Sequence, residues 1–437
     1  MRYQKIGIFS ALCILVIITY YRWFSFSWFG LGDWNIYFSE NLREFSLLSL
    51  WNTSLGFGVL DVIVWKIPYS LLISLFGFLG FDSNISDKFL ILIPLAFFSL
   101  FAPFILLKKI VRSNISAFIG AFIFAYSSYF LAIHTHGHQH LSMASVWGVF
   151  ALYFCIRLVE ERRIEWAVLG GMILAISGYY DFRFAYIFFF ICGGFLLVSW
   201  VKEVRGENMK VKSRESSSLP LLKGSTRVIE GEGFVSQMGK IPLNPPFPKG
   251  EEDGGEGDSI TMTGERKNVW NLFWMSTVFV LVFAGLNVFW ILPFATAGAM
   301  SENAGVGRDL FGNDYFELQE ALFLSHPFWT GYGVEWMSNQ PTPWWLTILG
   351  ILAFAGFWVG RKNPYVVFFA LIALIGIFLG KQVDPPFGNS YYWLYENLPG
   401  FNAFREASKF YVLIALGYSV GLASLINWLL PKEGSEK

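Results

Sequence analysis

Residues 364–380 read PYVVFFALIALIGIFLG, without a charged side chain, and this stretch decides the fold class. Arg361 and Lys362 precede it and Lys381 follows it. A run of this length and polarity predicts a helix that crosses a membrane, because the hydrocarbon core takes about 20 apolar residues to span. The rest of the chain has the same character: of 437 residues, 54% are hydrophobic, 19% aromatic and only 15% charged.

Nine further apolar runs occur along the sequence. They cover residues 6–21, 89–107, 115–133, 142–158, 165–180, 184–202, 270–292, 343–360 and 410–430. The sequence therefore predicts an all-α fold, a polytopic transmembrane helical bundle of about ten spans. A shorter run, residues 67–81, has charged flanks and is predicted to be an interfacial or re-entrant helix in the first outer loop.

The basic residues predict the orientation. If residues 67–81 do not cross the membrane, all the clusters of Lys and Arg lie on the same side as the N-terminus. These clusters are Lys108/Lys109/Arg112, Arg157/Arg162/Arg163, Lys202/Arg205, Arg266/Lys267, Arg361/Lys362 and Lys432. Cytoplasmic loops are enriched in Lys and Arg, so both termini are predicted to be cytoplasmic. No small-residue cleavage site follows the first run, which is therefore predicted to be a retained span.

Composition divides the chain into three regions. Residues 1–204 form an N-terminal transmembrane region with an outer loop at 22–88, and residues 269–437 form a C-terminal transmembrane region. Between them, residues 205–268 are rich in Ser, Gly, Pro, Glu and Lys and have no apolar periodicity. Such a segment buries too little apolar surface to offset the entropy of ordering, so a disordered cytoplasmic insert is predicted. A proline-motif docking site is the alternative.

Charge and cysteine content limit the function classes. The formal net charge is zero, so no nucleic-acid partner is expected. Cys13, Cys155 and Cys192 all lie within apolar runs, where each is predicted to be a small buried hydrophobic residue. The redox compartment therefore does not follow from the cysteines.

Asp33, in the first outer loop, is the first candidate for chemistry. A carboxylate beside a low-dielectric boundary can accept a proton from a sugar or lipid hydroxyl, or hold a divalent cation such as Mg²⁺ or Mn²⁺ against a phosphate. The step Gly32-Asp33 before Trp34 is also typical of a helix N-cap, which would make Asp33 structural. Composition alone favours the structural interpretation.

Four histidines alternate in HTHGHQH, residues 134–140. A zinc site would need three or four imidazole nitrogens at about 2.0–2.1 Å. A loop at 134–141 between two helices has to turn, which would splay the rings, so polar loop residues or substrate contacts are favoured over a closed metal site. In that interpretation His138 or His140 contacts a phosphate or a sugar hydroxyl.

Arg405 and Lys409 lie four residues apart at the start of the last predicted helix, so they project from one face. A pair of cations at the membrane surface suits the phosphate of a polyprenyl-phosphate donor. Snorkelling beside Glu406 is the alternative. Asp181 and Arg183 are predicted to form a local ion pair between two helices.

Short motifs follow one another in a recognisable order: Gly32-Asp33, Leu50-Trp51-Asn52, Leu55-Gly56-Phe57-Gly58, Pro68-Tyr69 and the stretch from Leu398 to Phe410. Together they resemble the bacterial YfhO-type membrane proteins and the wider GT-C superfamily of lipid-linked glycosyltransferases. The resemblance implies an enzyme of the bacterial cytoplasmic (inner) membrane that moves a sugar from a polyprenyl-phosphate-linked donor to a glycan or lipid acceptor on the outer face. It further implies Asp33 as the catalytic acidic residue and Trp51 and Asn52 as substrate contacts.

Two other function classes stay open. One is a transporter or flippase of lipid-linked sugars, which should carry charged groups or broken helices near the bilayer midplane. The spans are almost free of charge, although Pro94 and Pro103 interrupt one of them. The other is a non-enzymatic membrane protein, in which the outer carboxylates could be replaced without loss.

Overall fold

The computed structural model describes residues 2–25, 38–44, 51–52, 59–60, 64–111, 113–135, 137–205, 257–297, 316–325 and 344–430. Within these ranges the chain is almost wholly helical, which confirms the predicted all-α class. The exception is a pair of two-residue antiparallel strands, β1 (Trp51–Asn52) and β2 (Val59–Leu60).

Helices α1 to α10 precede the predicted insert. They are α1 (Arg2–Tyr20), α2 (Ser39–Glu44), α3 (Ile67–Phe78), α4 (Ser83–Asp87), α5 (Ile93–Val111), α6 (Asn114–Ala125), α7 (Ser128–Thr135), α8 (Gln139–Glu161), α9 (Ile164–Tyr180) and α10 (Phe182–Val204). A π-helical turn, Lys88–Leu92, joins α4 to α5. The later helices are α11 (Gly257–Ala297), α12 (Leu318–Leu322), α13 (Trp344–Gly360), α14 (Pro364–Gly380), α15 (Asn389–Asn397) and α16 (Tyr411–Leu429).

Each predicted apolar run coincides with helix, but the helices differ in their ability to span a membrane. Within the described ranges, five segments are long and apolar enough: Ser83–Val111, Gln139–Glu161, Phe182–Val204, Val269–Thr296 and Ala407–Leu429. Helices α6 and α7 add a sixth if the pair, bent by 48°, is one broken span. The remaining apolar helices, α3 among them, are shorter. The membrane-spanning architecture is thus supported, whereas ten spans and the orientation of the termini stay predictions.

The candidate span Val269–Thr296 begins at the predicted boundary, but the helix that contains it extends further toward the N-terminus. Helix α11 begins at Gly257, inside the segment predicted to be a disordered insert. Glu265, Arg266 and Lys267 have high helix propensity, and a helix nucleated in the adjoining apolar run can propagate through them. Residues 206–256 lie outside the described residues, so the prediction of disorder there is not tested.

Helix α16 is the centre of the bundle. Its residues from Tyr411 to Ser424 are all buried, and α5, α6, α13 and α14 pack around it. A helix that is apolar on every face is expected at such a position. Close approach depends on glycine: a Cβ atom on Gly356 of α13 would lie 1.8 Å from the carbonyl oxygen of Gly421 in α16. Small residues at such crossings let two membrane helices make backbone contact.

The two ends of the bundle differ in their charge pairing. At one end there are three ion pairs: Lys109 of α5 with Glu160 of α8, Arg157 with Glu161 within α8, and Arg162, just after α8, with Glu203 of α10. The other end, here called the pocket end, brings together the starts of α5, α8, α10 and α16. Buried charged side chains among the described residues all lie at the pocket end, and they are Asp87, Lys88, Asp181, Lys381 and Lys409. Charged side chains are rarely buried because burial of charge is costly, so the pocket end is the candidate functional region.

Candidate functional site

The segment that leads into α16 has a defined path. Gly400 has a φ of +79°, in the left-handed region that favours glycine, and a short 3₁₀ helix follows from Phe401 to Ala403. The hydroxyl of Tyr186, on α10, donates to the carbonyl of Pro399 at 3.0 Å. The last helix then begins at Tyr411, where the sequence predicts it.

Buried aromatic side chains pack together within and beside this segment and hold it in place. The rings of Phe401 and Phe404 lie 5.8 Å and 4.9 Å from that of Phe410, and all three side chains are buried. The hydroxyl of Tyr391 donates to the carbonyl of Phe404 at 2.6 Å. Arg405, the next residue, therefore projects from a packed support.

A polar pocket of about 240 Å³ opens between this segment and the start of α10. It is called the basic pocket here, and its lining consists of Arg183, Tyr395, Asn402, Ala403, Arg405, Glu406 and Lys409. At about 30 Å³ per water molecule, the volume corresponds to on the order of eight waters. That is enough for a phosphate group and the first atoms attached to it.

Arg405 and Lys409 both line the basic pocket, but not as one face of the last helix: Arg405 precedes the 3₁₀ helix Ala407–Phe410, which holds Lys409, and α16 begins only at Tyr411. Arg405 lies at the rim with 48% of its side chain exposed, whereas the Lys409 side chain is only 4% exposed. Both bind the Glu406 carboxylate: Arg405 Nη2 lies 3.3 Å from Oε1, and Lys409 Nζ contacts Oε2. Snorkelling needs an ammonium group in water, so the burial of Lys409 argues against that alternative.

Asp181 and Arg183 form the ion pair that the sequence predicts, but the pair is not merely local. Arg183 donates to both carboxylate oxygens of Asp181, from Nε at 2.9 Å and from Nη2 at 2.6 Å. The charge of Asp181 also acts on Lys409, and the charge of Arg183 acts on Glu406. Arg183, held by Asp181, is therefore one side of the basic pocket, contributed by a helix more than two hundred residues earlier in the chain.

The carboxylates of the site are ionised at neutral pH. Burial opposes the ionisation of Asp181, but the Arg183 guanidinium outweighs it and lowers the pKa of Asp181 below its ordinary value. Burial likewise opposes the ionisation of Glu406, yet the Lys409 ammonium, with Arg183 and Arg405, lowers the pKa of Glu406 to about 2. With three cations and two carboxylates, the site carries a net charge of +1, which favours an anionic ligand.

The remaining predicted site residues have different positions. Asp33 lies outside the described residues, so its predicted catalytic role is not tested. Trp51 and Asn52 form β1, which pairs with β2. Neither His138 nor His140 is among the described residues that line the basic pocket.

The predicted histidine loop at 134–141 is wrong in extent. Helix α7 continues to Thr135, and α8 begins at Gln139, so His134 and His140 are helical. His134 packs against Tyr20 and Trp23, with ring centroids 5.8 Å and 5.5 Å away. The apolar residues before His134 extend the helix, and the aromatic side chains of Tyr20 and Trp23 then bury its ring.

His140 packs elsewhere. Its ring lies 5.2 Å from that of Tyr69 and 6.5 Å from that of Tyr180, and the charge of Asp181 acts on it. It is therefore close to the Asp181 side of the basic pocket rather than at the mouth. A role for His140 in direct phosphate contact is accordingly less favoured by the geometry than the Arg405 and Lys409 assignment.

A divalent cation finds no set of ligands in the described part of the chain. No three His, Cys, Asp or Glu side chains come together there in a way that could hold a metal ion. The cation expected from the sequence would depend on Asp33, outside the described ranges. We assign no chemical step to it.

Comparison of the chain with protein-family models, with curated proteins and with solved structures finds no match. The argument for function therefore depends on the geometry of the basic pocket. The Asp181–Arg183 contribution is the part that sequence reasoning missed. The sequence does contain a signal for it: Asp181 and Arg183 are oppositely charged and lie in a short turn between two long apolar runs. Such a short turn does not need charged residues for solubility.

Proposed function

We propose that this chain is an integral-membrane glycosyltransferase that transfers a sugar from a polyprenyl-phosphate-linked donor to an acceptor on the outer face of the membrane. The observation that carries the proposal is the basic pocket, which places Arg183, Arg405 and Lys409 around one small polar space beside two candidate spans. Charge-assisted hydrogen bonds from such cations are strong and suit phosphate oxygens.

The three cations have different roles in this proposal. Arg405, at the rim, offers a planar fork for two phosphate oxygens, and Lys409 offers a point charge from inside the protein. Arg183 is held by Asp181 and adds a fixed positive charge on the opposite wall. The phosphate gains negative charge as its bond to the sugar breaks, so contacts that strengthen with that charge accelerate the transfer.

Asp33 is the proposed proton acceptor for the incoming hydroxyl group. Its role comes from the GT-C resemblance and from its place in the first outer loop, just beyond the first helix. A carboxylate within hydrogen-bond reach of a hydroxyl can take its proton as the oxygen attacks the sugar. The proposal therefore needs Asp33 to face the basic pocket.

The proposed topology has ten spans, with both termini in the cytoplasm and the basic pocket outside. The ion-paired end of the bundle holds Lys109, Arg157 and Arg162, as the positive-inside rule expects of a cytoplasmic face. Helix α13 is short for a span, yet Trp344 and Trp358 near its two ends are exposed. Tryptophan is enriched at both membrane interfaces, which supports α13 as a span.

The flippase alternative is less well supported. A transporter of charged headgroups should carry charged groups or broken helices near the bilayer midplane, and the bent pair α6 and α7 is one feature in its favour. In the described part of the chain, the buried charges instead lie at or beside helix ends, all at the pocket end. Such a distribution suits chemistry at one face of the membrane.

A transfer assay tests the proposal. Arg405→Ala should weaken donor affinity by about ten- to a hundred-fold, because a hydrogen bond to a charged group contributes about 1.5–3 kcal/mol. Asp33→Asn should lower turnover and largely keep donor binding, because it affects the proton-transfer step. The measurement is transfer from radiolabelled polyprenyl-phosphate sugars to endogenous acceptors in membranes that contain each variant.

Arg361→Ala is the matched control, because Arg361 is an exposed arginine at the ion-paired end. It should transfer sugar at the wild-type rate. Unchanged transfer by both Arg405→Ala and Asp33→Asn in properly inserted protein would exclude the proposed enzyme. Movement of intact donor across the membrane without transfer would establish a flippase instead.

A further inference from the structure

The Glu406 carboxylate already contacts Arg405 and Lys409, the two cations proposed above to bind the donor phosphate. Its Oε1 accepts a hydrogen bond from Arg405 Nη2 at 3.3 Å, and its Oε2 accepts one from Lys409 Nζ. A carboxylate and a phosphate both present pairs of oxygens to cationic donors. Glu406 therefore already makes the contacts that a bound phosphate would need.

We propose that Glu406 is an internal stand-in for the donor phosphate, which holds Arg405 and Lys409 while the basic pocket is empty and is displaced when an anion enters. This inference rests on the proposed function of the basic pocket. It makes Glu406 a specificity-determining residue, because a ligand must carry enough negative charge to compete with a carboxylate. A neutral polyprenol-linked sugar could not do so.

The exposures of the three side chains fit this exchange. Lys409 is buried, and a buried ammonium without a counter-ion is strongly destabilising. Glu406 supplies that counter-ion, and its side chain is 32% exposed. The carboxylate can therefore withdraw into water when a phosphate takes its place, whereas Lys409 is held inside the protein.

Protonation does not offer another way to release Glu406. Its pKa of about 2 means that the carboxylate stays ionised throughout the physiological range. The groups that face it are Arg405 and Lys409 on its own segment and Arg183 on α10. All three are cations, so a competing anion is the agent that removes Glu406 from them.

Asp181 has the opposite role, although it is also a carboxylate of the site. It is buried, does not line the basic pocket, and accepts hydrogen bonds from the side chain and the backbone N–H of Arg183. It therefore orients Arg183 rather than competing for the ligand. We assign Asp181 as a positioning residue.

These roles give opposite expectations for two variants that each remove one negative charge. Glu406→Gln should bind an anion on the order of ten-fold more tightly than wild type, because the competitor is gone. Asp181→Asn should bind it on the order of ten-fold more weakly, because Arg183 is no longer held. If only the net charge of the site mattered, removal of either carboxylate charge would strengthen anion binding.

The experiment is equilibrium binding of farnesyl phosphate to the full-length protein in lipid nanodiscs, measured by isothermal titration calorimetry, with farnesol as the neutral probe. Glu396→Gln removes an exposed carboxylate from α15 outside the pocket lining and should bind like wild type. Glu406→Asp keeps the charge but withdraws it by one methylene group, so its affinity should fall between those of wild type and Glu406→Gln. This second variant keeps the test decisive if Glu406→Gln does not fold.

The outcomes distinguish failure of the stand-in role of Glu406 from failure of the phosphate site itself. Tighter binding by Glu406→Gln with weaker binding by Asp181→Asn supports the inference. Unchanged or weaker binding by Glu406→Gln, in protein whose farnesyl phosphate affinity still falls with Arg405→Ala, overturns the stand-in role and leaves the phosphate site intact. Equal affinity in wild type and Arg405→Ala overturns the phosphate site itself.

Discussion

Arg183→Ala should destabilise the pocket end and abolish phosphate binding together. Asp181 would then lie buried, with 6% of its side chain exposed, and without the guanidinium that neutralises it. Removal of one partner from a buried ion pair costs about 3–5 kcal/mol, because the other charge is left uncompensated. The free energy of unfolding in detergent should fall by about that amount.

Two further variants separate stability from binding. The double variant Asp181→Ala with Arg183→Ala should recover most of the lost stability, since no buried charge remains, but it should not recover phosphate binding. Arg163 and Glu165 form a pair with the same sequence spacing that is more than half exposed. Arg163→Ala should therefore cost only about 0–1 kcal/mol. Similar losses of stability for Arg163→Ala and Arg183→Ala would show that burial of the Asp181–Arg183 pair does not increase its contribution to stability.

Gly356→Ala should disrupt the packing of α13 on α16. The added Cβ would lie 1.8 Å from the carbonyl oxygen of Gly421, and backbone cannot move aside as a side chain can. The loss of stability should reach or exceed the upper end of the usual overpacking range of about 1–3 kcal/mol. The loss of stability is measured by thermal unfolding, with the folded protein that remains after heating monitored by size-exclusion chromatography.

Gly285→Ala is the matched control for that substitution. Gly285 also lies inside a long helix, α11, but a Cβ there meets no atom within 4 Å. Alanine should be neutral or stabilising by about 0.5–1 kcal/mol, because glycine loses more conformational freedom in a helix. If the two alanine variants unfold at the same temperature, the close crossing of α13 and α16 is not a determinant of stability.

The sequence predicts local features of this fold well. The apolar runs, including residues 364–380, are helical because length and polarity are local properties that the membrane environment translates directly into helix. Arg405 and Lys409 share a pocket because they lie close together on one short segment, although this segment is not the regular helix that the sequence predicts. Sequence alone does not show that Arg183, held by Asp181, joins them, since that contact depends on how α10 packs against the 3₁₀ helix Ala407–Phe410 that precedes α16.

The errors in prediction also have physical causes. His134 was expected in a loop because histidine and glycine cluster there, but packing against Tyr20 and Trp23 favours a longer α7. Residues 257–268 are helical although their polar composition predicts disorder, because a helix nucleated in the neighbouring apolar run can propagate through them. In both cases tertiary or neighbouring structure overrides local composition.

The position of the donor phosphate tests the central claim most directly. A polyprenyl-phosphate analogue with a diazirine next to the phosphate can be photo-crosslinked to the full-length protein in nanodiscs, and the labelled peptides identified by mass spectrometry. Label in residues 395–409 and beside Arg183, reduced by excess unlabelled polyprenyl phosphate, is the predicted result. Label confined to the ion-paired end around Lys109 and Arg157, or label that unlabelled polyprenyl phosphate does not reduce, would contradict a donor site in the basic pocket.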